Sequence, residues 1–183
     1  MAGNERLDLC AECGGQCCRS RPGMEAPERF LAASDPAAAL AAALATGDWV
    51  LAEHVGVPWV DGVEPPEAER RRVLRYPRPA TLAERGRGAP RDELAPCVFL
   101  GEGGCRLAFD DRPRACRALV PTPGFECEGD WGRREAALAW LPHQAWVEAA
   151  RRLAAEAPLS GPRPPPARSA PAATPPPPPA ARR

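Results

Sequence analysis

Cys97-Val98-Phe99-Leu100-Gly101-Glu102-Gly103-Gly104-Cys105-Arg106-Leu107 is the stretch on which the fold turns. Two short apolar runs flank a glycine-rich loop, Gly101 to Gly104, which is the pattern of a β-hairpin. Cys97 and Cys105 flank that hairpin, so they lie near each other despite the residues between them. Asp111 then stands as the N-cap of a helix carrying Pro113 in its first turn and Cys116 just inside it. There the positive end of the helix dipole favours thiolate over thiol. Loop signals at Pro121, Pro123 and Gly124 precede Cys127, the last member of this group.

A second cysteine group lies near the start of the chain, Cys10-Ala11-Glu12-Cys13-Gly14-Gly15-Gln16-Cys17-Cys18. A C-x2-C step brings two sulfurs to one metal from a single turn, and the following glycines let the backbone bend around them. The segment to about Met24 therefore reads as a ligand loop, not a regular element. The adjacent pair Cys17-Cys18 diverges by about 100 degrees in a helix and to opposite faces in a strand. Both bind only if they address different metals or different cluster atoms. The eight cysteines thus form two islands, Cys10, Cys13, Cys17 and Cys18, and Cys97, Cys105, Cys116 and Cys127. Four thiolates per island permit two separate tetrahedral sites, and mixing between islands permits one shared cluster. The expectation is one joint site, because the first island is too short to carry its own core. Isolated cysteines are often only small buried apolar residues, but this density points to metal or cluster binding, with redox thiols or disulfides as the other readings. Thiolate ligands suit zinc or an iron-sulfur cluster equally well by softness.

Composition narrows the class. The chain has 183 residues, which allows one domain plus appendages. It contains neither lysine nor isoleucine and is rich in Ala, Arg and Pro, so arginine count alone says little about function. Much of the 44% apolar content is alanine, and aromatics are 5%, so the core is expected to be thin. Twenty-four basic residues balance 24 acidic ones. With four arginines and no acid from Pro158 onward, residues 1 to 157 carry a net charge of minus four. Nucleic-acid binding is not expected. No run reaches the roughly 18 to 20 apolar residues of a membrane span. Met1 to Leu9 lacks the basic and apolar regions of a secretory signal. A cytoplasmic location is expected, where thiols stay reduced.

Along the chain, Glu28 to Ala33 makes one or two helical turns. Ser34-Asp35-Pro36 then caps a helix over Ala37 to Thr46 that stops at Gly47, with Leu40 and Leu44 on its buried face. Residues 49 to 60 read as a short edge strand, broken at Gly56 and Pro58. Pro65 to Arg75 returns to helical composition. Its run Arg70-Arg71-Arg72 is explained by pairing with Glu67 and Glu69. Thr81 and Glu84 have capping-box spacing. Trp131 to Glu156 is a helical stretch interrupted at Pro142, with Trp146, Val147, Ala150 and Leu153 as a core stripe. Residues 158 to 183 are almost entirely proline, alanine and arginine and read as a disordered tail, whose run Pro175 to Pro179 offers a protein partner a polyproline ligand. The expected fold is α+β: a small, mostly helical, metal-organised domain over residues 1 to 157, with a short β-hairpin and irregular cysteine loops.

The cysteine pattern resembles the YkgJ-like cysteine-cluster family, described as zinc- or iron-chelating domains. The resemblance rests on Cys97-Val98-Phe99-Leu100, Gly104-Cys105-Arg106-Leu107 and Arg112-Pro113-Arg114-Ala115-Cys116-Arg117. In the first island three residues, not two, separate Cys13 from Cys17. Residues 31 to 96 carry no part of it. The resemblance implies metal chelation by the cysteines. It also points to a branch that includes flagellin lysine N-methylases, although this chain shows no glycine-rich fingerprint for S-adenosylmethionine.

Arg19, Arg106, Arg112 and Arg117 lie beside cysteines, and Arg112 and Arg117 belong to the resembling motif. Their guanidinium groups would offset the net charge of a thiolate-bound metal or cluster. His54 and His143, the only histidines, lack ligand spacing to any cysteine and read as structural. Asp110-Asp111 reads as a helix cap before it reads as an acid-base pair. Three functions follow: a metal-binding protein organised by its site, an iron-sulfur-dependent enzyme or redox protein, and an interaction protein working through the proline tail. No catalytic residue is indicated.

Overall fold

The computed structural model describes residues 9, 12–20, 22–85, 95–120, 127 and 129–157. The expected tail over 158–183 and Cys10, the first of the expected ligands, lie outside the described residues. The N-terminal island is more regular than a ligand loop. Gly14 and Gly15 have positive φ, 62° and 73°, and turn the chain into α1 (Gln16–Ser20), so Cys17 and Cys18 sit on a helical turn. The turn forms because Gly15 accepts at its carbonyl from the amides of Cys18 and Arg19.

Next come α2 (Glu28–Leu31) and α3 (Pro36–Ala45). Asp35 caps α3 through a 3.0 Å bond from the Ala38 amide, Pro36 opens it, and Leu40 is fully buried, as the sequence leads one to expect. β1 (Trp49–Val55) follows, then one helical turn, α4 (Glu67–Arg70), and β2 (Val73–Pro79). The strands pair antiparallel from Trp49↔Pro79 to Val55↔Val73. Helix over Pro65 to Arg75 is therefore overturned beyond Arg70. Val73-Leu74-Arg75-Tyr76 carries branched and aromatic side chains, which suit a pleated surface, and β1 supplies a partner. Pro77 and Pro79 are tolerated because both strands of a two-stranded ribbon are edges. The expected ion pairs are present, Arg71 with Glu67 at 3.3 Å and Arg72 with Glu69 at 3.2 Å.

β3 (Leu100–Gly101) pairs with β4 (Gly104–Cys105), with Gly101 opposite Gly104, so the hairpin turn is Glu102-Gly103. A 3-10 turn, Phe109–Asp111, leads to α5 (Arg114–Arg117). The expected Asp111 cap does not form. Pro113 occupies the N-cap position and the first free amide, that of Arg114, donates to Glu25 Oε1 at 3.0 Å. The final helical stretch splits at Pro142 as expected, into α6 (Arg133–Trp140), a 3-10 turn and α7 (Gln144–Glu156).

The main core joins α2, α3, the ribbon, α6 and α7. Five of its twelve buried residues are alanine, so Trp140, Tyr76, Leu40 and Leu74 supply most of its apolar area. Trp140 is fully buried, packs against Phe30 at 6.0 Å, and donates its indole N–H to the Glu25 carbonyl at 2.7 Å. Val147 and Ala150 of the expected stripe are buried, whereas Leu153 is 45% exposed. Gln144 stitches α7 to the ribbon, accepting from the Arg75 amide and donating to the Arg75 carbonyl, each at 2.9 Å. Val50, Ala80 and Val98 form a second, smaller cluster with Phe99, which fastens the hairpin to the ribbon. Helices and small antiparallel pairs thus make a mixed α and β fold.

Candidate thiol site and adjoining cavity

Main-chain contacts join the two islands. The Cys97 amide donates to the Cys18 carbonyl at 2.7 Å. Gly15 lies so close to the hairpin that a Cβ there would stand 2.9 Å from Leu100 Cδ1 and 3.1 Å from Gly104 Cα. Only glycine serves both this contact and the positive φ. The Cys116 helix is fixed by the segment after α1. The Ala115 amide donates to the Met24 carbonyl at 3.0 Å, Glu25 holds Arg114, and Gly23 lies directly against Cys116 Sγ. A side chain at Gly23 would displace that sulfur.

These contacts gather the thiols. Cys18 hydrogen-bonds through its side chain to both Cys17 and Cys105. Cys116 lies within electrostatic reach of Cys97, Cys17 and Cys105, and Cys127 within reach of Cys17 and Cys13. Cys18 and Cys97 are buried, and Cys13, Cys17, Cys105, Cys116 and Cys127 are partly so. Among the described residues, however, no set of three or more His, Cys, Asp or Glu side chains stands in an arrangement that could hold a metal ion. The thiols are assembled in one region without forming a closed cage.

Their acidities diverge. The hydrogen bond from Cys18 lowers Cys105 to about 6, helped by the Arg112 charge, and lowers Cys17 to about 7. One Cys18 proton lies between two sulfurs, so it stabilises one thiolate at a time. The two bonds it makes hold Cys18 itself protonated, raising its pKa. Burial pushes Cys97 up to about 12 and raises Cys116 as well, and the neighbouring thiols add to both shifts. The dipole argument for Cys116 is thereby overturned: α5 has only four residues, and burial outweighs its small dipole.

Of the two motif arginines, Arg112 acts on Cys105 by charge and hydrogen bond. Arg117 has a buried Nε with no hydrogen-bond partner. Arg19 braces the Gly14 carbonyl at 3.2 Å, and Arg106 donates to the Val98 carbonyl inside the hairpin. Neither histidine joins the thiols: His54 lies on β1, and His143 stacks on Trp146 at 4.1 Å. Asp110 and Asp111 lie in the 3-10 turn, where the Asp111 carbonyl accepts from Arg29 at 3.0 Å.

A cavity of about 630 Å³ opens beside the thiols, and Cys13, Cys17, Cys116 and Cys127 line it. So do Tyr76, Trp131 and Arg133, with apolar surface from Met24, Ala52 and Leu119. Tyr76 is fully buried, and its hydroxyl has no hydrogen-bond partner; the Trp131 indole N–H is buried and unpartnered too. Arg78, at the same cavity, forms a buried two-pronged pair with Glu84, both bonds 2.8 Å, and Glu84 also accepts from the Thr81 amide at 2.9 Å. The expected capping-box geometry is thus half realised, serving an ion pair instead of a helix.

The sequence reading passed over Tyr76, Trp131, Arg133, Glu25 and Gly23. Gly23, at the edge of the first island, had a weak signal as a place of close approach; the others look like ordinary strand, loop and surface residues. Searches against protein-family models, curated proteins and solved structures find no match to this chain.

Proposed function

We propose that the protein binds zinc or an iron-sulfur cluster through thiolates drawn from both islands. Cys17, Cys18, Cys97, Cys105 and Cys116 form the central ligand pool, with Cys10, Cys13 and Cys127 completing it and Arg112 and Arg117 offsetting charge. The carrying observation is the Cys97 amide to Cys18 carbonyl bond, which brings sulfurs from distant parts of the sequence into one region. The donor chemistry fits. Thiols packed this closely oppose one another's ionisation, and a bound cation reverses that penalty. Binding then requires the thiols to lose protons and turn toward a common centre. A structural zinc site would add apparent binding energy of about 10–16 kcal/mol to an alanine-rich core. Metal chelation is also what the resemblance to the YkgJ-like cysteine clusters implies.

The cavity bordered by Cys13, Cys17, Cys116 and Cys127 favours a second reading, an iron-sulfur enzyme or redox protein distantly related to flagellin lysine N-methylases. The reduced thiols suit a cytoplasmic setting, and no helix among the described residues is long and apolar enough to cross a membrane. On this reading residues 1 to 157 form the metal-binding unit, nucleic acid is not a partner, and the proline-rich segment beyond is a tail open to a protein partner.

Anaerobic purification followed by metal analysis and a visible spectrum tests the proposal. Stoichiometric zinc in a colourless protein supports the structural reading, and iron with acid-labile sulfide in a brown one supports the cluster. A chain that takes up neither zinc nor a reconstituted cluster, and melts alike with and without chelator, contradicts both.

A further inference from the structure

We infer that Cys18 and Cys105 are a redox pair, which a peroxide joins in a disulfide that locks α1 to the hairpin. The bond itself does not rest on the metal reading, since it needs only these two thiols and an oxidant. Geometry selects the pair. A Cβ on Gly15 would stand 3.1 Å from Gly104 Cα, and the helical turn that Gly15 opens closes through a 2.9 Å bond from the Cys18 amide to the Gly15 carbonyl. That turn therefore sets Cys18 beside Cys105, the residue after Gly104 on β4, and the two side chains hydrogen-bond. Cys18 bonds to Cys17 as well, but that pair is poorly placed for a disulfide. Adjacent residues stand about 3.8 Å apart at Cα, below the roughly 4.4–6.8 Å that the bond usually spans.

Access sets the order of events. Cys105 is partly exposed, whereas Cys18 is 6% exposed, so the oxidant meets Cys105 first. The Cys105 sulfur attacks one oxygen of hydrogen peroxide, the O–O bond breaks, and the displaced hydroxide leaves as water with the thiol's proton. Cys105 is then a sulfenic acid. The Cys18 sulfur attacks the Cys105 sulfur, the S–O bond breaks, and hydroxide leaves as a second water with the Cys18 proton. Two thiols have given up two electrons in total, and one peroxide has become two waters. The product closes a long loop, from residue 18 to residue 105, and constraining the unfolded chain in this way stabilises the fold. It also withdraws one sulfur from each island. Where the metal reading holds, oxidation thus empties the joint centre, and a dithiol reductant, itself oxidised to a disulfide, restores it.

The test uses the full chain, reduced, treated with a chelator and then given hydrogen peroxide. Tryptic digestion without reductant should yield peptides 7–19 and 92–106 joined by one disulfide, with two thiols lost per chain. Fragmentation of the joined pair should place the bond at Cys18 and Cys105. In Cys18→Ser the joined pair should vanish and dimedone should trap Cys105 as its sulfenic acid; Cys105→Ser should give neither product. Cys17→Ser should still form the bond. The oxidised parent should melt higher than the reduced one, and dithiothreitol should reverse both changes. A bond confined to peptide 7–19, a bond from Cys17 or Cys97 instead, or thiols consumed in the parent with no joined peptides overturns the inference. The bond is mapped in the parent without metal, so it stands or falls apart from the folding of the variants and from the metal reading.

Discussion

Gly23 and Glu25 position the Cys116 helix although neither bears a thiol. Because a Cβ on Gly23 collides with Cys116 Sγ, Gly23→Ala should destabilise by about 1–3 kcal/mol, the usual cost of overpacking, read from a urea melt. An unchanged midpoint would mean that the cysteine helix moves freely. Glu25 accepts from the amides of Ala26 and Arg114 and from Arg29, at 2.9 to 3.1 Å. The thiols set a pH dependence. Cys17 and Cys105, lowered to about 7 and about 6 from 9.0 by the one Cys18 proton they share, contribute as a pair, not additively, stability that is present above 9.0 and lost as pH falls through those values. Cys97 and Cys116 are raised, so above 9.0 the unfolded chain loses protons that the folded chain keeps, and stability falls as pH rises. The melting temperature of metal-free, reduced protein should therefore climb between about pH 6 and 9 and decline beyond. A flat profile would show that the thiols are not packed against one another. At this scale the cysteines were legible because their spacing is distinctive. Glu25 was not, since a lone glutamate announces nothing about an amide 89 residues away.

Among the elements, α3, the break at Pro142 and the Cys97–Cys105 hairpin were readable from caps, proline and glycine. β2 was not, because its helical-looking acidic and basic flank hides a strand that exists only by pairing with β1. Glu84 shows the same limit: its spacing to Thr81 fits a cap, but its main partner is Arg78, across the turn. That pair is almost fully buried, 3% and 0% exposed. Glu84→Leu alone should cost about 3–5 kcal/mol by stranding a buried charge, and Arg78→Met combined with it should recover most of the loss. Chemical denaturation of the single and double variants decides this. A double variant no more stable than the single would mean that Arg78 supports the fold through other contacts.

At the scale of the whole molecule, the core is thin in the way its alanine content implies. Trp140→Ala should accordingly cost about 3–5 kcal/mol and leave a barely folded chain at 37 °C, as circular dichroism would report. A small loss would show that the thiol region carries the fold. The docking of α1 on the hairpin was legible only as an argument from size, since the Cys18–Cys97 bond has no sequence signature. The central claim is that both islands serve one metal centre. Metal bound per chain after anaerobic purification, compared between the parent, Cys18→Ser from the first island and Cys116→Ser from the second, tests it most directly. Each substitution should remove most of the metal and lower the melting temperature by a similar amount. If each variant keeps half the metal in a well-formed four-thiolate site, or if neither loses any, the joint centre does not exist.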